Sequence, residues 1–151
     1  MKRPAIFAAL ATAAIAMGVQ EFRSMSARVL NTGGLGVSFS QTRLTPGVQS
    51  YTVRANADAL FGCVNRGSRV VRGKTSTVNE MVSTVREITS RDGNMRRTLG
   101  LAVPKSGLEC PAKQTARLVR ITWTEVSLKN NTNNTTATVP GTFARTFLKA
   151  R

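Results

Sequence analysis

Apolar side chains fall at every second position along much of this sequence, and that spacing restricts what it can fold into. In "LGVSFSQTR" (residues 35–43), Leu35, Val37 and Phe39 share one parity. A strand sends alternate side chains to opposite faces, so such a stretch buries one face and wets the other. The same spacing joins Tyr51 with Val53 in residues 48–55, and Met95 with Leu99, Leu101 and Val103 in residues 95–103. In residues 116–128 it groups Val119, Ile121 and Trp123; the phase then shifts to Val126 and Leu128. A bulge near Thr124-Glu125 accounts for that shift. Residues 77–89 alternate through Val78, Val82 and Ile88, although Val78, Met81, Val82 and Val85 also suit a helix face. Their Thr and Val content and the Asp92-Gly93 turn just beyond favour a strand.

A short apolar run at 60–64 and a closing segment at 141–149, with Phe143 and Phe147 in phase, complete the set. Pro46-Gly47, "NRGS" (65–68) and "RDGN" (91–94) supply turns, and "KNNTNNTTAT" (129–138) is a loop or hairpin tip. About seven short strands at near-regular spacing predict an all-β antiparallel sandwich, immunoglobulin-like or related, over residues 35–151. The length of 151 residues suits one such domain.

The N-terminus carries an address. Lys2 and Arg3 precede an uncharged, Ala-rich run at 5–17, and small residues allow cleavage after Ala16 or Gly18. Basic, apolar, small is the order that export machinery reads, and the run is too short to span a bilayer. Residues 1–18 are therefore expected to be a signal peptide and residues 19–34 a flexible arm. Glycines at 33, 34 and 36 miss dinucleotide-loop spacing and suit a flexible lead-in to the first strand. The expected location is extracellular, or periplasmic in a cell with two membranes.

Cys63 and Cys110 are the only cysteines. An even count in an exported chain predicts a disulfide, here joining the ends of two strands distant in sequence. The rival chemistries lack residues. A catalytic thiol needs a base and a zinc site about four ligands, yet the chain has no histidine. The carboxylates, Glu21, Asp58, Glu80, Glu87, Asp92, Glu109 and Glu125, form no evident pair, since Glu80 and Glu87 take opposite parities of one strand. Gly73-Lys74-Thr75 resembles the tail of a phosphate loop, but Ser68 stands where that loop needs glycine, so a basic surface loop is expected. No catalytic residue, metal or cofactor is implied.

Charge is the remaining signal. Lys and Arg number 22 against 7 Asp and Glu, a net +15, and loss of the leader leaves +13. Such an excess attracts polyanions. Arg66, Arg69, Arg72, Lys74, Arg117 and Arg120 would flank a Cys63–Cys110 bridge and are the candidate anion-binding residues. Aromatic residues are only 5% of the chain, and Trp123, Phe143 and Phe147 suit a core, so specific nucleic-acid recognition is not expected. Asn130, Asn133 and Asn134 each match an N-glycosylation acceptor, although an ordinary polar loop accounts for them as well.

The motifs "CVNRG" (63–67), "LECPAKQTARLVRITWTEVSL" (108–128) and "TNNTTATVPGTFARTF" (132–147) resemble a set of small secreted proteins of bacteria and fungi. That resemblance implies secretion, a β-sandwich-like domain and a Cys63–Cys110 bridge, and it supplies no catalytic residue. This chain departs from the set in being unusually basic. The expectation is a secreted, non-catalytic binding module for anionic glycans, cell-wall polymers or membrane headgroups. A cationic antimicrobial effector and an envelope protein that associates through strand edges are the alternatives.

Overall fold

The computed structural model describes residues 22–151; the expected signal peptide at 1–18 lies outside the described residues. Ten strands and no helix are present among them: β1 (Phe22–Val29), β2 (Leu35–Gln41), β3 (Gly47–Asn65), β4 (Val70–Val71), β5 (Thr75–Ser90), β6 (Met95–Leu101), β7 (Gln114–Asn130), β8 (Thr135–Val139), β9 (Phe143–Thr146) and β10 (Lys149–Ala150). A small sheet, β1-β2-β6, packs on a larger one ordered β5-β3-β7-β8, with β9 also paired to β7. All these pairs are antiparallel. The all-β sandwich expected from alternation is the observed class.

The core lies between the sheets. Leu35, Val37 and Phe39 from β2 and Leu99 and Leu101 from β6 meet Tyr51, Val53, Ile121, Trp123 and Leu128. Ala55, Ala57 and Ala59 share that inner face of β3 and are fully buried. Ala57 stands opposite Trp123, so a small side chain adjoins the largest one in the core. These alanines carry little hydrophobic signal, which is why β3 looked like two strands in the sequence.

Residues 22–34, read above as part of a flexible arm, are ordered structure. β1 pairs with β2 along its length and turns Met25, Ala27 and Val29 toward the core. Its polar alternates, Ser24 and Ser26, gave weak contrast with such modest apolar residues. The glycines after it form a tight, buried turn rather than a loose lead-in. The Gly33 N–H bonds the Leu30 carbonyl at 2.9 Å, and Gly33 has φ +95. Trp123 Nε1–H donates to the Gly33 carbonyl at 3.0 Å, which satisfies the one polar atom of a fully buried indole. Gly33 is required twice, since a Cβ there would also meet the Leu118 side chain.

Residues 77–89 are strand, within an unbroken register from Gly47 opposite Ser90 to Gly62 opposite Thr75. The bulge expected near Thr124-Glu125 is present: Arg54 faces Ser127 but Asn56 faces Thr124, and Glu125 takes φ 54. A second register shift falls at Val119. It turns Val119 away from the face of Ile121 and Trp123, into a separate cluster with Val64, Val71 and Leu148. That cluster covers the outer face of the large sheet at one end only. There β4 and β10 pair in parallel. Gly62 makes room for them, because a Cβ on it would run into Val71.

At the other end lies a buried polar network. Tyr51 donates to Gln41 Oε1 at 2.8 Å, and Asn130 Nδ2 donates to the same oxygen at 3.0 Å and to Gln49 Oε1 at 3.1 Å. Gln41 and Gln49 pass their own amide hydrogens to Thr135 Oγ1 and the Thr45 carbonyl. Asn130 Oδ1 accepts from the N–H groups of Thr132 and Asn133, closing the turn before β8. Asn130, one of the three glycosylation matches, is thus fully buried, whereas Asn134 is exposed.

Burial pushes the Tyr51 hydroxyl up to about 12, against a smaller downward pull from Asn130. A raised folded value means that the neutral phenol is the form the fold favours. Its contribution is complete below pH ~10, the unfolded value, and is lost as pH climbs to about 12. Tyr51 is the only tyrosine, so phenolate absorbance reports it alone. The folded protein should titrate near 12 and the urea-unfolded chain near 10. Coincident curves would show that the hydroxyl is not buried.

Candidate functional site

The structure places five of the six predicted cations around one end of the large sheet and the sixth, Arg120, further along it. Cys63, at the end of β3, bonds Cys110, with the Cα atoms 5.6 Å apart. The Cys63 N–H donates to the Lys74 carbonyl at 3.0 Å, which draws the β4–β5 connection against the bridge. Arg66 rides on the turn after β3, where the Ser68 N–H bonds the Asn65 carbonyl at 2.9 Å. Arg117 stands opposite Gly62 on β3, and Arg120 stands opposite Leu60 and, on its other side, Thr146 of β9. All six side chains are exposed. Arg66, Arg69, Arg72, Lys74 and Arg117 gather at the disulfide end. Arg120 sits further along β7, on the open face.

Two further cations join this end, and the sequence did not announce them. The Lys149 N–H bonds the Arg69 carbonyl, and the Arg151 N–H bonds the Val71 carbonyl, each at 3.2 Å. The chain terminus is therefore stitched onto β4. Arg72, Lys149 and Arg151, with Val70 and Ala150, line an open hollow of about 450 Å³. Two-residue strands leave no periodic signal, so this parallel pairing had none to offer.

A second basic region lies at the opposite end, beyond the close of β5 and β7. Arg23, Arg96 and Arg97, with Ser40, Thr42 and Asn94, line a hollow of about 500 Å³. Arg91, Asp92 and Thr89 extend it into a neighbouring one of about 480 Å³. Arg23 Nε donates to Thr42 Oγ1 at 3.2 Å, so its guanidinium is steered by β2. Arg23 carries no sequence signal for this site, because β1 has too little apolar contrast to show as a strand. Two groups of cations thus line hollows at opposite ends of the domain.

The carboxylates do not converge. Glu80 and Glu87 occupy opposite faces of β5, Asp92 caps its own turn by accepting the Asn94 N–H at 3.1 Å, and Glu125 sits at the bulge. Among the described residues no group of three or more Cys, Asp or Glu side chains is placed to hold a metal ion. What the surface offers is exposed guanidinium and ammonium donors around shallow hollows, a chemistry of charge-assisted hydrogen bonds to anionic oxygens. No family model matches the chain, and no curated protein matches it as a relative.

Proposed function

We propose that this protein is an exported, non-catalytic binding module that captures an anionic polymer or surface through the disulfide-end cations. The observation that carries the reading is the docking of the C-terminal strand, which brings Lys149 and Arg151 to Arg72 around one hollow, with Arg69 beside it on the chain that Lys149 bonds. Export is supported by the basic–apolar–small leader sequence and by the Cys63–Cys110 bridge, which suits an oxidising compartment. The motif resemblance to small secreted proteins of bacteria and fungi points the same way. The partner classes are anionic glycans, cell-wall polymers and membrane headgroups. Flat, exposed arginines favour oxygen-rich anions over a shaped small molecule.

The test uses chain from Val19 onward with its disulfide intact, against heparin, anionic wall polymer, anionic vesicles and DNA. Binding should be strongest to one of the first three and fall steeply between low salt and 1 M, where the Debye length is only about 3 Å. Reversing Arg69, Arg72 and Lys149 to Glu should weaken it by at least about tenfold, in keeping with roughly 1 kcal/mol per charge near an anionic surface. The same reversal of Arg91, Arg96 and Arg97 should matter less. Absence of binding at low salt, or a larger effect at the second pole, would overturn the assignment.

A further inference from the structure

β5 is an edge strand with few of the usual safeguards. It stands last in the order β5-β3-β7-β8, so every second residue turns its backbone N–H and C=O away from β3 toward an unpaired side. Natural edges are blunted by shortness, proline, lysine, a bulge or charges on the inward face, and of these β5 has only the last, Glu80 and Arg86, which are opposite in sign. β5 runs 16 residues, contains no Pro, Gly or Lys, and keeps an unbroken register with β3. The other edges are short by comparison, β1 having 8 residues, β6 having 7 and β8 having 5. Of the three exposed large apolar side chains among the described residues, two, Met81 at 41% and Val85 at 57%, lie on this strand. In a very basic chain it carries a net negative charge, Glu80 and Glu87 against Arg86 alone.

We infer that β5 pairs with β5 of a second copy, antiparallel and centred on Ser83, to make one continuous sheet across a dimer. The pleat allows only registers in which residues of equal parity face each other. With Ser83 opposite itself, Glu80 of each copy faces Arg86 of the other. Met81 faces Val85, and Val78 faces Ile88. Two-fold symmetry makes each of these contacts twice. A centre at Val82 sets Glu80 against Thr84 and Arg86 against Val78. A centre at Thr84 sets Glu80 against Ile88 and Arg86 against Val82. Only the Ser83 register matches charge with charge and apolar with apolar. Glu80 and Arg86 are both exposed in the single chain, on the face that carries Val78, Val82 and Ile88 inward to the core. The partner that fits this edge is therefore a second copy of the chain. In such a dimer the disulfide end of each copy adjoins the Arg91–Arg97 end of the other, with Lys74 beside Asp92 just past the strands.

Sedimentation of the chain from Val19 onward, with its disulfide intact, tests the pairing. The mass should rise from one chain toward two with concentration. Glu80→Arg and Arg86→Glu should each remain monomeric, with dissociation constants raised at least about tenfold, since each sets like charges opposite one another twice. Mixing the two variants should restore a dimer. Positions 80 and 86 are then both arginine in one chain and both glutamate in the other, so each facing pair again joins opposite charges. Trp123 fluorescence checks that each variant is folded. Should either misfold, a nitroxide on Ser83→Cys in the otherwise unchanged chain gives the same answer, as the Ser83 register brings the two labels together. A monomer at every concentration, dimers indifferent to both reversals, no recovery on mixing, or labels far apart would overturn the pairing.

Discussion

Asn130→Ala should lower the unfolding free energy by about 3–4 kcal/mol, and the midpoint of thermal unfolding by roughly 10–15 °C. The change deletes two donated hydrogen bonds, to Gln41 and Gln49, and two accepted ones, from Thr132 and Asn133. Each is worth about 1 kcal/mol net, and leaving Gln49 Oε1 buried without its donor adds to the loss. Asn131 is the natural control. It bonds Ser50 and Thr52 from an exposed position, where water replaces whatever is removed, so Asn131→Ala should cost under about 1 kcal/mol. Calorimetry on both variants decides the matter. Equal losses would show that the turn, and not the buried network, sets the stability of this end.

The second large effect belongs to the bridge. Replacing Cys63 and Cys110 together with Ala should destabilise the domain by about 3–4 kcal/mol. The bridge closes a separation of 47 positions, and without it the unfolded chain regains that loop's freedom. The loss should grow at low ionic strength, because the disulfide end also gathers Arg66, Arg69, Arg72 and Lys74, whose repulsion is then least screened. Denaturant titration at low and moderate salt, with oxidised and reduced wild type alongside, measures both parts. A double variant as stable as the oxidised protein would show that β4 and β10 hold this end unaided.

The class of fold was legible because alternation is local. Leu35, Val37 and Phe39 declare a half-buried strand without reference to anything distant, and Arg91–Asn94 declares a turn through Gly93 alone. The bulge was legible for the same reason: Ile121 and Trp123 give way to Val126 and Leu128 on the opposite parity, and only an extra residue reconciles them. The cysteine pair needed just a count and the expectation of export. β1 was missed because Ala27 and Ser26 differ too little in hydrophobicity to show a face, and the middle of β3 was missed because its inward residues are alanines. Their smallness answers to Trp123 across the sheet, a demand set by a residue more than sixty positions away.

Sequence alone determined that this chain is a β domain, strongly basic, without histidine chemistry, and equipped with two thiols suited to a bridge. Those properties reside in composition and in spacings of a few residues. Tertiary structure alone decided where the charges gather. Lys149 and Arg151 reach Arg69 and Arg72 only through a parallel pairing of two-residue strands, and Arg23 reaches Arg96 and Arg97 only because β2 lies between β1 and β6. It also decided that Gln41, Gln49 and Asn130 are buried. Polar side chains in the sequence look like surface, and only long-range partners that satisfy every donor and acceptor make their burial affordable.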